Sequence, residues 1–496
     1  MFNAILDGSQ YKSLEVFDGE STVGNKLIEK YSSRLISIAE DFFEKNQQPG
    51  ICILMERSAD YIALILSAWH AGFYVVPLNT SWPVEKNLDI IKRIKPAVVL
   101  VDDGFDSALV QDVNFVTKEA LLETPHDPKV CKRSLKPCDI AYIIFTSGST
   151  GEPKGVVISA SSFRSYMDWT KRHFNEYKNS KKLLLTSELT FDITMGDIAF
   201  ALAFGTHIGV ARYNTNIPSV LAMIMQHQID VLYSVPTTHL ALSAFAKKKR
   251  GADLSSLKLI LSGGDRFPWQ LVDDYKKLTN GAHFYNVYGP TEVTINCFSI
   301  RLDDKNYLSD SGAPVPIGYC FDSLDYLLLD ENGDQAKEGE LCITGPQIMM
   351  GYHNDSELTK KALTTDPRLS SVNRLVYRTG DLAYSEEGIV YLKGRIDGLV
   401  KIRGYRIHPD EISKALDACP GVVASAAVAY GAQSEAALAV FLQLEKDCDL
   451  LAPQVEAFLR SKVPEYMIPD RIVFIDEFPL NQSGKIDKKV LTTRLI

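Results

Sequence analysis

Thr146-Ser-Gly-Ser-Thr-Gly151, closed by Pro153-Lys154-Gly155, brings hydroxyls, glycines and one lysine into a single short stretch. Glycine backbones turn tightly and approach a ligand closely. Successive backbone N–H groups in such a loop form a concave anion site, and a lysine adds a point charge. Thr146, Ser147, Ser149 and Thr150 supply the hydroxyls and Gly148 and Gly151 the turns, so the stretch suits phosphate. It is not a Walker A loop, which needs Gly-x-x-x-x-Gly-Lys-Ser/Thr opening a helix. Here Lys154 is followed by Gly155 and the apolar Val156-Val-Ile158. The preceding Ile140-Ala-Tyr-Ile-Ile-Phe145 has the pattern of a buried strand. Strand, loop, strand makes a hairpin over phosphates.

Three further stretches carry complementary chemistry. In Phe284-Tyr-Asn-Val-Tyr-Gly-Pro-Thr-Glu292, Asn286 can hydrogen-bond an adenine edge and Tyr288 can stack on the ring. Thr291 offers a hydroxyl to a phosphate, and Glu292 offers a hard oxygen to Mg2+. In Tyr377-Arg-Thr-Gly-Asp-Leu382, Asp381 can accept from the vicinal hydroxyls of a ribose. Asp192 follows Phe191 at the head of a helical pattern, where an aspartate is usually a cap or a partner of the helix dipole. Lys485 lies in the polar Asn481-Gln-Ser-Gly-Lys485, where a lysine is ordinarily just solvated.

In this order, these motifs resemble those of the adenylate-forming superfamily, which includes acyl-CoA ligases, luciferases and the adenylation domains of peptide synthetases. The resemblance runs from roughly residue 20 to 490, and Tyr288-Gly289-Pro-Thr-Glu292 matches letter for letter. It implies an ATP- and Mg2+-dependent enzyme in which the loop from Thr146 to Gly151, Lys154, Asn286, Tyr288, Gly289, Asp381 and Arg395 bind the nucleotide. Lys485, Thr291 and Glu292 would act in catalysis, Glu292 also holding the metal. Phe191-Asp192-Ile-Thr194 resembles the motif of amino-acid-activating members, so Asp192 would bind the α-ammonium. The side-chain pocket carried over is Ile193, Gly196, Tyr233, Ile260, Ser262, Val287, Ile295 and Asn296. Gly196 suggests depth and no wall residue is charged, so a neutral amino acid, medium-sized or aromatic, is expected. Asp397 would be a hinge, and Gly404 would let a pantetheine arm pass.

The elements that position these residues alternate. Ile51-Cys-Ile-Leu-Met55, Phe73-Tyr-Val-Val-Pro77 and Ala97-Val-Val-Leu-Val101 read as strands with a helical pattern from Ser58 to His70 between the first two. This βαβ punctuation predicts a parallel sheet covered by helices. Lys182-Leu-Leu-Leu-Thr186, Val231-Leu-Tyr-Ser234 and Leu257-Lys-Leu-Ile-Leu-Ser-Gly-Gly264 continue it. Beyond Gly394 the pattern shortens to a small α+β unit. The expected fold is therefore α/β: a large N-terminal domain of parallel and mixed sheets flanked by helices, residues 1–395, and a small mobile α+β lid, residues 396–496.

Composition narrows the function classes. With 496 residues and a net charge of −9, the chain has the size for two domains and the wrong sign for a nucleic-acid binder. Its eight cysteines form no C-x-x-C pair, which favours free thiols in a reducing, cytoplasmic setting over a zinc site or disulfide framework. Met1-Phe-Asn-Ala-Ile-Leu-Asp7 has no basic n-region or long apolar core, so it does not read as a signal peptide, and no membrane span is expected. No carrier domain follows the Lys485 loop, which favours a stand-alone amino-acid adenylating enzyme serving a separate phosphopantetheine carrier protein. The alternatives are an aryl- or acyl-CoA ligase using free CoA, against which Asp192 speaks, and a nucleotide-binding regulator, against which the full motif set speaks.

Overall fold

The computed structural model describes residues 14–45, 47–105, 113–125, 135–146, 153–265, 268–303, 315–369, 374–396, 399–402, 405–431, 436–445, 448–479 and 486–495. The chain divides into two compact units. The first comprises Met1–Asn79, Ile91–Ile144 and Gly155–Gly394, and the second comprises Thr80–Ile90, Phe145–Lys154 and Arg395–Ile496.

The first unit holds a nine-stranded sheet. From edge to edge its strands are Tyr319–Cys320, Phe298–Arg301, His283–Tyr288, Leu259–Ser262, Val231–Ser234, Lys182–Leu185, His207–Val210, Glu15–Phe17 and Thr22–Gly24. The strands from His283–Tyr288 through Glu15–Phe17 pair in parallel, and the outer ones are antiparallel. Parallel strands are buried on both faces and so read as continuous apolar runs. Leu183, Leu185, Tyr233, Leu261 and Val287 share one apolar cluster. Leu184, Leu232, Ile260 and Phe284 share another with residues of the helices Ile217–His227, Pro236–Lys248 and Gln270–Leu278.

Asp192–Phe204 is the central helix. Every residue from Ile193 to Ala203 is buried, so it shows no polar face, as a helix inside a core should. It stops at Gly205, whose φ of 69° is the left-handed cap that glycine adopts without strain.

A seven-stranded sheet contains, in order, Gly351–Tyr352, Lys154–Ser159, Ile140–Thr146, Tyr74–Pro77, Gly50–Leu54, Val98–Val101 and Phe115–Thr117. The strands that flank the expected phosphate loop are thus neighbours. Ser159 caps the next helix, Ala160–His173, its hydroxyl accepting from the Ser162 N–H at 3.0 Å. A third sheet of five strands, Asp325–Leu329, Glu338–Thr344, Leu375–Glu386, Leu363–Thr365 and Ile389–Arg395, is largely antiparallel and was not foreseen from the sequence.

In the second unit, Val422–Tyr430, Ala437–Leu444 and Arg471–Phe474 form a sheet, and Val400–Ile402 pairs with Tyr405–Ile407. Helices Pro409–Leu416, Ala452–Arg460 and Lys488–Thr493 accompany them. The expected α/β class with a small α+β unit holds. Among the described residues no helix is long and apolar enough to cross a membrane.

Candidate active site

The carboxyl ends of the parallel strands are where an open α/β sheet collects ligands. Tyr288 ends the strand His283–Tyr288, and its hydroxyl donates to Asp381 Oδ2 at 2.5 Å; each residue is 4% exposed. Asp381 is held in turn by its own strand. Its N–H donates to Thr379 Oγ1 at 3.0 Å, and the Thr379 hydroxyl donates to the Leu341 carbonyl at 2.7 Å. Glu340 accepts from the Gly380 N–H at 3.0 Å and from Arg378 Nε at 2.8 Å, where the pairing register shifts between Glu340 and Cys342. Neither Glu340 nor Thr379 is singled out by the sequence. Asn286 Nδ2 donates to the Pro316 carbonyl at 2.7 Å.

Gly289 and Pro290 lead into the short turn Thr291–Val293. Thr291 is half-buried, whereas Glu292 has no exposed surface. The Tyr352 hydroxyl donates to Glu292 Oε1 at 2.9 Å. Tyr352 lies on Gly351–Tyr352, which pairs with Val156 and Val157 on the strand that follows the phosphate loop. Gly351 has φ 147°, and a Cβ there would meet Thr359 Cγ2 at 2.8 Å, so glycine is required for that strand to approach. A water-excluded carboxylate with one oxygen bonded to a neutral hydroxyl fits a hard cation. Among the described residues no group of three His, Cys, Asp or Glu side chains could hold a metal by itself. Glu292 supplies a hard oxygen of the kind that would hold Mg2+, which usually takes one or two carboxylates and fills its other positions from elsewhere.

Asp192 is the first residue of the central helix; Phe191 holds the cap position and makes no side-chain cap bond. The charge of Asp192 acts on three buried tyrosines. Burial first, and then the charge of Asp192, push the Tyr142 hydroxyl well up; Tyr166 and Tyr233 are raised by burial with smaller contributions from Asp192 and Asp197. The Tyr233 hydroxyl bonds the Asn296 amide, 3.0 Å to Oδ1 and 2.9 Å to Nδ2, and Asn296 Nδ2 also lies 3.3 Å from the Tyr166 hydroxyl. Burial pushes the carboxyl of Asp197, further along the helix, well above the usual carboxylate range.

The wall opposite is strained. Ile295 has φ 74°, rare for a β-branched residue, and the Asn296 N–H donates to the Thr294 carbonyl at 3.0 Å, closing a tight γ-turn. A Cβ on Gly289 would fall 2.4 Å from the Ile295 carbonyl oxygen, so glycine admits the turn. Gln347, itself fully buried, holds it: Nε2 lies 3.3, 3.4 and 2.9 Å from the carbonyls of Val293, Thr294 and Asn296. Gln347 carried no spacing signal in the sequence.

Two expectations are corrected. Alternation along Leu259–Ser262 puts Ile260, and with it Ser262, on the face away from Tyr233 and Val287; Ile260 packs with Leu232 and Phe284 instead. The facing residues are Leu261 and, just past the strand, Gly263, where a Cβ would meet Val287 Cγ2 at 2.8 Å. Nor does Gly196 open depth. A Cβ there would lie 3.0 Å from Tyr233 Cε1, 3.1 Å from Ile295 Cγ2 and 3.5 Å from the Tyr166 hydroxyl, so its neighbours already fill that space. Ile193 and Val287 are buried in the same apolar cluster as Tyr233 and Ile295. Thr146 ends one phosphate-loop strand, Lys154 begins the next, and Arg395 ends Ile389–Arg395. Ser147, Gly148, Ser149, Thr150, Gly151, Asp397, Gly404 and Lys485 lie outside the described residues.

Known proteins share this sequence and fold. The chain matches the AMP-binding enzyme family over residues 37–353 and the AMP-binding enzyme C-terminal domain over residues 411–485. Bacitracin synthase 3 of Bacillus licheniformis is 30% identical over 89% of this chain and 7% of its own length. Zwittermicin A synthase ZmaJ of Bacillus cereus is 29% identical over 88% of this chain and 84% of its own. The chain spans only 9% of a third relative, the polyketide synthase PksN of Bacillus subtilis. Among solved structures, the o-succinylbenzoate CoA synthetase MenE of Bacillus subtilis aligns with a TM-score of 0.84 at 18% identity, covering 99% of this chain and 98% of its own. NpsA-ThdA of Klebsiella oxytoca, an artificially fused adenylation–PCP di-domain, aligns with a TM-score of 0.81 at 20% identity, covering 95% and 92%. At such identities the structural likeness speaks to fold alone. The family matches, together with the Tyr288–Asp381 pair and the buried Glu292, identify the chain as a member of the AMP-binding enzyme family, the adenylate-forming enzymes that activate carboxylates.

Proposed function

We propose that this protein activates an α-amino acid with ATP, forming the aminoacyl adenylate, and then transfers the acyl group to the phosphopantetheine thiol of a separate carrier protein. The observation that carries the amino-acid part is Asp192, a carboxylate at the head of the buried central helix whose charge acts on three buried tyrosine hydroxyls. An ammonium bonded there forms a charge-assisted pair. A carboxylic acid without an amine forgoes that pair.

In the first half-reaction a carboxylate oxygen of the amino acid attacks the α-phosphorus of ATP. The bond from that phosphorus to the β-bridging oxygen breaks, and pyrophosphate leaves. Positioning and charge stabilisation do most of the work in phosphoryl chemistry. Asp381, oriented by Tyr288, would accept from the ribose hydroxyls. Asn286 would read the adenine edge, and Thr146, Lys154 and Thr291 would meet phosphates. Mg2+ bound at Glu292 would neutralise phosphate charge. In the second half-reaction the thiol loses its proton, its sulfur attacks the adenylate carbonyl, and AMP leaves with the C–O bonding pair. Lys485 near the α-phosphate, Asp397 as hinge and Gly404 beside the pantetheine arm complete the scheme by resemblance.

The competing reading is a CoA ligase, since MenE, a CoA synthetase, has the same fold. ATP–pyrophosphate exchange separates the two. Exchange with amino acids, reduced about 10²-fold or more by Asp192→Ala, supports our reading; truncating one partner of a buried charge pair costs about 2–5 kcal/mol. Exchange only with acids lacking an amine, unchanged by Asp192→Ala, refutes it. Thioester formation on a carrier protein rather than on free CoA tests the acceptor.

A further inference from the structure

Arg57 stands between the strand Gly50–Leu54 and the helix Ala59–His70, and its side chain reaches the carboxyl ends of two strands of the nine-stranded sheet. Nε donates to the Ala211 carbonyl at 2.5 Å, Nη1 to the Ser187 carbonyl at 2.6 Å and Nη2 to the Leu185 carbonyl at 2.7 Å. Leu185 ends Lys182–Leu185, and Ala211 directly follows His207–Val210, the parallel neighbour of that strand. A guanidinium is planar, always charged and forked, so one side chain holds the three carbonyls in a fixed relation.

The chain leaving Leu185 passes through residues 186–191 and delivers Asp192. Arg57 holds this connection at its start. Glu188 holds its middle, where the carboxylate accepts from Asn79 Nδ2 at 3.1 Å and from Asn214 Nδ2 at 2.8 Å. The Glu188 carbonyl accepts from the Phe191 N–H at 2.9 Å and from the Thr194 hydroxyl at 3.0 Å, which ties the connection to the first turn of the central helix. Phe191 makes no side-chain cap bond there, so the start of the helix is set by the connection before it.

We propose that Arg57 is a positioning residue for the acid substrate: together with Glu188 it sets where the carboxylate of Asp192 stands. The inference rests on the assignment of Asp192 to the α-ammonium. A misplacement of about 1 Å within a site can cost about 100-fold in rate. Arg57→Lys keeps the charge and loses the fork, so the three carbonyls are no longer held together. Tyr288, Asp381 and Glu292, on the nucleotide side, are held by bonds of their own.

The test is ATP–pyrophosphate exchange by the intact protein, first with the standard amino acids, benzoate and octanoate, and then with the best amino acid at varied concentration. Arg57→Lys should raise the KM for that amino acid about 10-fold and leave kcat and the KM for ATP within twofold. In an Asp192→Asn background the same change should move the amino-acid KM less than twofold, because the charge that Arg57 positions is gone. A double-mutant cycle measures this coupling, which a purely structural role would not produce. Asn214→Ala removes one donor to Glu188 and should raise the amino-acid KM about threefold; it decides the matter if Arg57→Lys does not fold. An unchanged amino-acid KM, equal rises in both KM values, or an effect of Arg57→Lys undiminished in the Asp192→Asn background overturns the inference and leaves the amino-acid reading standing. Exchange with benzoate or octanoate alone overturns that reading and the inference with it.

Discussion

The Tyr288 hydroxyl donates to the Asp381 carboxylate at 2.5 Å, joining the strand that carries the aromatic candidate for adenine to the strand that carries the candidate for ribose. The bond fixes the carboxylate of the candidate ribose acceptor against the strand end, and a fixed side chain is the condition for precise binding. Tyr288→Phe keeps the ring and removes the bond. A hydrogen bond to a charged group contributes about 1.5–3 kcal/mol. We expect the KM for ATP to rise about 10-fold, with the KM for the acid within twofold, and the thermal midpoint to fall. Equal KM values for ATP in wild type and variant would show that Asp381 needs no such support.

Glu340 holds the turn that carries Asp381. One oxygen accepts the Gly380 N–H and the other accepts Arg378 Nε, so the turn bearing Asp381 is fixed at the site of the register shift. Arg378 is half-exposed, and its ion pair is screened by solvent; the bond to Gly380 is the part that positions the turn. Glu340→Ala should therefore raise the KM for ATP, whereas Arg378→Ala should change it little. Steady-state kinetics on both variants decide the matter, and equal effects would assign the role to the ion pair.

The residues that were legible in the sequence are those whose chemistry is local. The strand Ile140–Thr146 and the helix that begins at Asp192 follow from runs of a few neighbours. Ile260 was misplaced because Leu259-Ile-Leu is apolar throughout. A strand buried on both faces hides its alternation, and a slip of one residue exchanges the faces. Gly196 announced space without saying which neighbour takes it; Tyr233, Ile295 and Tyr166 come from three other segments. Glu340, Gln347 and Tyr352 act through long-range bonds in sheets that the sequence reading did not assemble.

The γ-turn at Ile295 predicts an effect on the acid and not on the nucleotide. A β-branched residue at φ 74° stores strain on the order of 1–3 kcal/mol and persists only when its surroundings over-determine it. Gln347 supplies that restraint through three carbonyls. Gln347→Ala removes it, and the wall formed by Ile295 and Asn296 should relax. The KM for the amino acid should rise about 10-fold or more, discrimination between small and large substrates should weaken, and the KM for ATP should stay within twofold. Loss of overall folding instead would appear as a fall in thermal midpoint with both KM values affected. Retained discrimination at a normal KM would mean that the turn holds without Gln347.

His239 lies behind the pocket strand and gives it a pH dependence. It is fully buried; Nδ1 accepts from the Tyr275 hydroxyl at 2.9 Å, which leaves Nε2–H to donate to the Leu261 carbonyl at 3.0 Å. Burial lowers its pKa from 6.5 to about 4. Between those values the unfolded chain binds a proton that the folded protein refuses. The stability tied to neutral His239 is therefore complete above about pH 6.5 and is lost as pH falls toward 4, on the order of 3 kcal/mol in all. His239→Gln can keep a donor to Leu261 without the titration. Thermal unfolding from pH 4 to 8 should show the wild-type midpoint falling more steeply below pH 6.5 than that of the variant, and the two curves should run parallel above it. Parallel curves across the whole range would mean that the histidine titrates alike in the folded and unfolded chains.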